Sequence, residues 1–353
     1  MNGVPQDASE SQTNAPLFSV IILNWNGRRL LEECLSSIGS QTFRDFETIV
    51  VDNGSTDGSV DWVKERSAES VSTVALPSNL GFAGGNNAGI RVARGRYVIL
   101  LNNDTAVDPG WLAALAEAVR RHPDAGMFTP KILNYYRRDE IDNTGHLIYP
   151  DGLARGRDRL EKDDGRFDAE GENLWPSGCA GVYKREMLDR IGLLDESFYA
   201  YGEDVDLGLR ARWAGWSCFY VPAAVVYHKY SATTGAYTSQ KAFLVERNRI
   251  WILFKNFPIR EILLSPLRTG YRYAYHLTGA LTGRGAAGKF ASEYSVGRMF
   301  LVILRAEIGA LAGVPRMLRS RRAGKSFRHM TSRQFRSLVA RFPLSARDAA
   351  WKE

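Results

Sequence analysis

Short apolar, β-branched runs alternate with amphipathic stretches through the first 230 residues, and each strong run ends in a polar cluster. Phe18-Ser19-Val20-Ile21-Ile22-Leu23 predicts a buried strand, punctuated by Asn24-Trp25-Asn26-Gly27. Leu30 to Ile38 has the period of a helix. Phe46 to Val51 predicts a second strand that stops at Asp52-Asn53-Gly54-Ser55-Thr56-Asp57-Gly58. A helix at 59–66 and a weak strand at Val71–Ala75 follow. A Gly/Asn-rich loop from Asn79 to Gly85 then leads into a helix at 86–93. Tyr97 to Leu101 is a third strong strand, ending in Asn102-Asn103-Asp104. Alternation of this kind predicts an α/β fold with a largely parallel sheet.

Further on the pattern loosens. Residues 134–172 are rich in charge and glycine and read as a surface excursion, a hairpin by its turn signals. Compact structure returns from Trp175 to Leu194, and strands are expected at Ser217–Val221 and Ala224–Tyr227, the latter ending in His228. Residues 243–257 and 296–320 read as helices whose apolar stretches carry interspersed Arg. No run has the length of a membrane span; the nearest, Met299 to Val314, is broken by Arg305 and Glu307.

Charge divides the chain. Residues 247–353 hold 21 Lys/Arg against 5 Asp/Glu, whereas residues 1–246 hold 25 against 34. The basic end suits anionic lipid or nucleic acid, and charge alone does not choose between them. Basic helices bearing Trp, Phe and Leu without a span favour a membrane surface over nucleic acid, with packing on the catalytic body or on a second subunit as a homodimer the blander reading. The three cysteines, Cys34, Cys179 and Cys218, lack metal-ligand spacing and an even disulfide count, which fits a reducing cytoplasm. Residues 1–16 are polar without an apolar core, so they read as a disordered tail and not a signal peptide. This gives three segments: the tail, an α/β body at 17–235 and a basic helical region at 236–353.

In a parallel sheet ligands sit beyond the carboxyl ends of the strands. Asn24 and Asn26, then Asp52, Ser55 and Asp57, then Asn103 and Asp104 stand at three such ends and read as one binding site; any one cluster alone is equally turn chemistry. Asp104 is a candidate ligand for Mg or Mn, since such ions take one or two carboxylates and leave the rest of the shell to substrate phosphates and water. His228, at another strand end, is either a second ligand or a satisfied core histidine. Asp52 could accept hydrogen bonds from a nucleobase or ribose. The Gly81-Phe82-Ala83-Gly84-Gly85 loop permits close backbone approach, and amides at the following helix N-terminus, around Asn86 and Asn87, could meet a phosphate.

Tyr201-Gly202-Glu203-Asp204-Val205-Asp206 places three carboxylates in four residues before the helical pattern Leu207, Leu209, Trp213. One reading is a capped helix with an Asp206–Arg210 pair. The other is a general base at a loop-to-helix junction, which explains the extra acids and the glycine.

These segments in this order resemble the family 2 glycosyltransferases of the GT-A fold, and among them the bacterial rhamnosyltransferase-like branch. The likeness rests on Val20 to Asn26, Val51 to Ser59, Asn79 to Asn87, Leu101 to Asp104 and Phe198 to Leu207, with Arg210 and Gly215-Trp216, and it covers roughly residues 17–230. The resemblance implies an inverting transferase that takes a nucleotide-diphosphate sugar as donor and a hydroxyl of a glycan or lipid-linked saccharide as acceptor, in bacterial cell-surface polysaccharide synthesis. It implies work in the cytoplasm on the inner face of the plasma membrane, with dTDP-rhamnose the first donor expected and a UDP-hexose the second. Asp52 would then sit by the base, Asp104 and His228 on the metal, and Asp204 as catalytic base. Glu203 would shape the sugar side, and Asp206 would cap the helix and pair with Arg210. One departure is Asn102, where the family's D-x-D motif has its first acid. That loss supports the alternative of a nucleotide-sugar or glycan-binding protein without turnover, while the intact Glu203-Asp204 pair opposes it. A nucleotidyl-transfer site would want a glycine-rich basic loop after the first strand, of which Asn24 to Arg29 is a poor version.

Overall fold

The structure is a computed structural model that describes residues 15–67, 71–230, 238–283 and 296–352, with Gly285 and Gly288 between the last two segments. Most of the expected N-terminal tail lies outside the described residues.

Four strands, β1 (Phe18–Asn24), β2 (Phe46–Asp52), β3 (Val71–Ala75) and β4 (Tyr97–Asn102), form a parallel half-sheet in the order β3-β2-β1-β4. The crossovers run through α1 (Arg28–Gly39), α2 (Ser59–Ser67) and α3 (Gly81–Val92). Burial on both faces explains the unbroken apolar runs: Val20 and Ile22 join a core with Leu31 and Trp111, while Ile21 joins the opposite core with Ile90 and Val98. Register sets Asn24 opposite Asp52 and Leu23 opposite Asn102, so the three strands end nearly flush and their polar clusters meet.

After β4 the chain makes β5 (Thr105–Val107), α4 (Trp111–Arg121), β6 (Met127–Asn134), β7 (Ile141–Asn143), β8 (His146–Ile148), β9 (Ala154–Gly156) and β10 (Gly171–Glu172). It continues with β11 (Val182–Lys184), α5 (Arg185–Ile191), α6 (Glu203–Trp213) and β12 (Cys218–His228). The main sheet runs β10-β12-β6-β11-β4-β1-β2-β3, with β5 on β12 and β7 on β6, and β8 pairs with β9 apart from it. The mixed part arises because β11 lies antiparallel to both β4 and β6, whereas β6 and β12 are parallel. The fold is therefore α/β with a mostly parallel centre, as expected.

Three expectations change. The two strands read at 217–221 and 224–227 are one strand, β12, with a register shift between Val221 and Val225; Pro222, which has no N–H to give a ladder, sits at that irregularity. The helix expected from residue 86 begins at Gly81, so the Gly/Asn-rich loop is largely its first two turns. Residues 134–172 are not merely a surface excursion: Ile141, Thr144, Ile148 and Asp151 are buried, and β7 extends the main sheet. Their polar character has internal partners. Asp151 accepts from Arg272 Nε at 2.8 Å and lies 3.5 Å from Arg249, and both arginines belong to the C-terminal helices.

Those helices are α7 (Ser239–Asn256), α8 (Ile259–Thr282), α9 (Val296–Ala323), α10 (Ser332–Val339) and α11 (Ala346–Trp351). The pattern predicted two of the three long ones and missed α8, which carries Pro266 inside it. α7 is the keystone: Trp251 donates to the Ala310 carbonyl at 2.9 Å, and Trp213 donates to the Asn256 carbonyl at 2.8 Å. Trp251, Ala310 and Phe335 belong to the same core cluster as Ile21 and Val98, so the basic helices and the sheet share one interior. Burying each such large side chain contributes about 1.5–3 kcal/mol. Among the described residues no helix is long and apolar enough to cross a membrane.

Candidate active site

A cavity of about 530 Å³ opens at the carboxyl ends of β1 and β4. β4 and the turn after it bring Asn102, Asn103 and Asp104 to it, β12 brings His228, and the start of α6 brings Glu203 and Asp204. Residues separated by up to 126 positions thus converge because their strands and helix end on the same side of the sheet.

The polar strand ends form one network. Asn24 donates to Asp52 Oδ2 at 3.1 Å and to Ser55 Oγ at 3.4 Å, and accepts from Asn103 Nδ2 at 2.8 Å. Ser55 N donates to Asp52 Oδ1 at 2.8 Å, Asn26 N donates to Ser55 Oγ at 2.8 Å, and Thr56 N donates to Asn26 Oδ1 at 2.8 Å. Asp57 accepts from Arg28 N and Ser59 N, tying α1 to the cap of α2. Of these residues Asn103 lines the cavity, together with Trp25, Asn53 and Asn79, which the sequence reading did not single out. Asp52 is 2% exposed and both its oxygens accept internal bonds, so it serves first to lock the strand ends together.

The glycine-rich segment divides in two. Gly81 lines the cavity. Gly84, Gly85, Asn86 and Asn87 lie within α3 and do not line it among the described residues. Gly85 lets α3 lie against Leu23 of β1, where a Cβ would collide. Asn86 donates to the Phe82 carbonyl at 2.9 Å, and Asn87 clamps the Leu194 backbone through both its amide atoms, at 2.9 and 3.1 Å. The amides at this helix start, where a phosphate contact was expected, are engaged within the protein. Leu80 N donates to Asn53 Oδ1, Gly81 N to Asn79 Oδ1 and Ala83 N to the Tyr199 carbonyl, so these amides already have partners.

His228 is buried between two carboxylates, with Nε2 3.3 Å from Asp104 Oδ1 and Nδ1 2.7 Å from Asp142 Oδ2. Burial alone would depress its pKa, but Cys179, Asp104 and Asp142 raise it well above the ordinary imidazole value. Among the described residues no three acidic, His or Cys side chains cluster as a complete metal cage. The set present fits a cation such as Mg²⁺ or Mn²⁺ whose shell is completed by phosphate and water. Asp142 holds the His228 ring from its far side, the place an outer carboxylate would take if His228 ligated a metal. Sequence reasoning missed it, because it lies in the segment taken for a surface excursion.

The three acids of α6 have different surroundings. Asp204 lines the cavity, its Oδ2 accepting from Gly178 N at 3.1 Å and its Oδ1 from Val205 N at 2.8 Å. Glu203 is buried at the cavity wall, and burial, then Asp204 and Asp206, push its carboxyl well above the usual range. Asp206 points into the protein, where it accepts from Arg210 and Lys255 at 2.9 Å each and from Asn256 at 2.8 Å. Burial opposes its ionisation, yet Lys255 and Arg210 hold its pKa down at about 2. The expected Arg210 pair is present, but Asp206 is no cap: the helix starts at Gly202 without a side-chain cap bond. Gly202 has φ +100°, where a side chain would also meet Ile252. Tyr199 and Tyr201 also have positive φ. Asn248 of α7 holds this strained turn by donating to the carbonyls of Phe198, Ala200 and Tyr201 at 3.1, 2.9 and 2.5 Å. No local signal marks Asn248; its part is legible only once α7 lies over the turn.

Residues 19–192 match the family model described as Glycosyl transferase family 2. The chain contains a family 2 glycosyltransferase domain. Asp104 falls inside the matched span, while Asp204 and His228 lie beyond it and join the site through the fold. The chain is 28% identical to the N-acetylglucosaminyl-diphospho-decaprenol L-rhamnosyltransferase of Mycobacterium tuberculosis, over 66% of this chain and 85% of that one. It is 31% identical to the uncharacterized protein y4gI of Sinorhizobium fredii over 62% of this chain, but spans only 25% of that longer protein. Among solved structures, the mannosyltransferase PcManGT of Pyrobaculum calidifontis, in complex with GDP-Man and Mn²⁺, superposes with a TM-score of 0.51 over 88% of this chain and 90% of that one, at 17% identity. That likeness establishes the shared GT-A type of fold.

Proposed function

We propose that the protein transfers a sugar, with inversion, from a nucleoside-diphosphate donor to a hydroxyl of a glycan or lipid-linked saccharide. The observation that carries this reading is that Asp204, oriented by two backbone amides, lines the same cavity as the Asp104–His228 pair. The donor's nucleoside would lie across the Asn24–Asp52–Asn103 network, with Asn53 and Asn79 at the cavity wall. Asp104 and His228 would hold a divalent ion, Mg or Mn, which supplies electrostatic stabilisation to the departing diphosphate. Asp204 would take the proton of the acceptor hydroxyl as that oxygen bonds to the anomeric carbon.

Rhamnose from dTDP-rhamnose is the first donor to test; the similarity to the mycobacterial L-rhamnosyltransferase supports it, and a UDP-hexose comes second. The same relative supports an acceptor on a lipid diphosphate. The basic C-terminal helices present apolar side chains to solvent, Leu263 and Leu267 among them at 74% and 75% exposure, which supports attachment to an anionic membrane surface at the cytoplasmic face. A second reading, nucleotide-sugar binding without turnover, is favoured only by Asn102 in the place of an acid.

Hydrolysis of a panel of purified sugar nucleotides by the full chain, with Mg²⁺ or Mn²⁺ and with chelator, tests the proposal. Metal-stimulated release of nucleoside diphosphate from one donor is expected. Tight binding of a donor with neither hydrolysis nor transfer to any added saccharide would leave the binding-protein reading instead.

A further inference from the structure

One arginine in the cavity wall has no anion to meet. Arg155 of β9 lines the cavity, is partly exposed, and makes no hydrogen bond or ion pair with any described residue. Of its guanidinium only Nε is closed off; the two terminal nitrogens, equally without a partner, keep the polar end of the side chain open. The arginines around it are satisfied. Arg249, also in the wall, donates to Glu246 at 2.8 Å and lies 3.5 Å from Asp151. Arg272 donates to the same two acids, and Arg159 pairs with Asp142. Glu246, whose charge reaches Arg155, is thus committed to two other guanidinium groups. A guanidinium stays charged at physiological pH, so an unpaired one in a cavity wall favours an incoming anion.

A second cation stands beside it. Gly152, at the turn of the β8–β9 hairpin, packs against the Arg249 carbonyl of α7, where a Cβ would collide. From that contact β9 runs on to Arg155 while α7 runs back to Lys241, and both residues line the cavity. Lys241 Nζ lies 5.4 Å from the ring centre of Tyr201 and 5.2 Å from that of Tyr230. Burial disfavours its charge, and Arg155 and Arg159 are close enough to push the same way. The ionic groups that bear most on Arg155 are Arg272, Glu246 and Arg159, and not Asp104, Glu203 or Asp204. Two cations from the hairpin and α7 therefore face the cavity, with the acids of the site on β4 and α6. A planar guanidinium beside an ammonium suits the oxygens of a phosphate.

The hairpin also fixes where this anion would lie. At its open end His146 stands opposite Gly156, in the field of Asp204. Arg155 comes next, opposite Leu147. The turn at 149–152 then rests on α8: Tyr149 donates to the Arg268 carbonyl at 3.1 Å, and Asp151 accepts from Thr269 at 3.0 Å and from Arg272 Nε at 2.8 Å. α8 exposes Leu263, Leu267 and Tyr271. We propose that Arg155, with Lys241, binds a phosphate or diphosphate ester carried by the acceptor, apart from the donor's diphosphate at Asp104 and His228. The inference rests on the sugar-transfer reading. A saccharide joined to a lipid through phosphate presents sugar, anion and apolar chain in that order, and the hairpin sets out Asp204, Arg155 and the apolar face of α8 in the same order.

The test titrates the full chain with geranyl diphosphate by calorimetry, first in chelator and then with Mn²⁺ and saturating UDP or dTDP. Chelator removes any binding bridged by metal at Asp104 and His228, and the nucleotide fills the donor's place. Binding is expected in both conditions. Arg155→Gln should weaken it about 10–100-fold, the worth of a hydrogen bond to a charged group, and Arg155→Lys, which keeps the charge, should lose less. No binding in chelator, or equal affinity of wild type and Arg155→Gln, overturns the proposal. Displacement of geranyl diphosphate by the nucleotide with Mn²⁺ assigns the cations to the donor's diphosphate and overturns it too. So does geraniol binding as tightly as geranyl diphosphate, since the apolar face alone would then account for the affinity. The displacement and geraniol arms use the wild type and do not depend on variant folding. A wild type that binds neither nucleotide and hydrolyses no sugar nucleotide defeats the transfer reading instead, and the chelator arm still judges the anion subsite.

Discussion

His228 Nδ1 lies 2.7 Å from Asp142 Oδ2, which turns the opposite ring nitrogen toward Asp104. A ligating histidine without its outer carboxylate loses both orientation and basicity. Asp142→Ala is therefore expected to weaken the apparent affinity for Mn²⁺ about 10–100-fold, read as the metal dependence of donor hydrolysis. Unchanged metal dependence with intact folding would show that Asp142 merely fills space.

Asp204→Asn keeps the size of the side chain and removes its basicity. Transfer should fall by about 10²–10⁴-fold, the range supplied by a positioned general base, while donor affinity stays within about threefold because the proton is taken from the acceptor. Calorimetric binding of the donor beside a transfer assay checks both halves. Retained turnover would move the role to Glu203.

Asn248 holds the Phe198–Tyr201 turn from a distance of about fifty residues in sequence. Asn248→Ala leaves three carbonyls without this donor and relaxes a turn whose positive-φ residues direct Asp204 to the cavity. The expected cost is about 1–3 kcal/mol of stability, with a fall in kcat larger than any change in donor KM. Chemical denaturation and steady-state kinetics on one preparation measure both; equal kcat would separate the turn from catalysis.

What the sequence displayed and what it hid follow from the range of the interactions. β1, β2 and β4 were legible because strands buried on both faces are written as uninterrupted apolar runs, and Asn24, Asp52 and Asp104 were legible because they end those runs. Asp142, Arg155 and Asn248 were not. Asp142 meets His228 across 86 positions, and its own neighbourhood has the charge and glycine of a solvent loop. The arginines that neutralise that neighbourhood, Arg249 and Arg272, lie in α7 and α8, so its burial is a property of two distant segments together. The glycine-rich segment misled in the other direction: Gly85 and Asn87 serve helix packing and a loop clamp, roles that share residue types with phosphate binding.

Asp206 makes acid stability a readout of how α7 is fastened to α6. Its carboxyl has a folded pKa of about 2 against an ordinary 3.8. A depressed folded value contributes stability that is complete above the unfolded pKa and is lost as pH falls from 3.8 toward about 2. The contribution is on the order of 2 kcal/mol. Asp206→Asn should remove that slope and, by leaving Lys255 and Arg210 without their shared carboxylate, cost about 3–5 kcal/mol at neutral pH. Thermal melts of both proteins should differ most above pH 4 and converge in acid; parallel curves at every pH would deny the ion pair its role.

The outward face of α8 repeats Leu263, Leu267 and Tyr271 at a spacing of four, all well exposed, and α9 adds Phe300, Ile308 and Leu311. Arg260, Arg305 and Arg316 lie on the same two helices. Apolar insertion and attraction to anionic headgroups act together on such a surface, the second screened by salt. The full chain should sediment with phosphatidylglycerol vesicles at low salt, bind less as salt rises, and bind phosphatidylcholine vesicles weakly. Leu263→Ser with Leu267→Ser touches no buried contact, so Tm and donor hydrolysis should stay unchanged while vesicle binding falls. Equal binding by the double variant, or a wild-type dimer that the same substitutions dissociate, would assign this face to a second copy of the chain instead of a membrane.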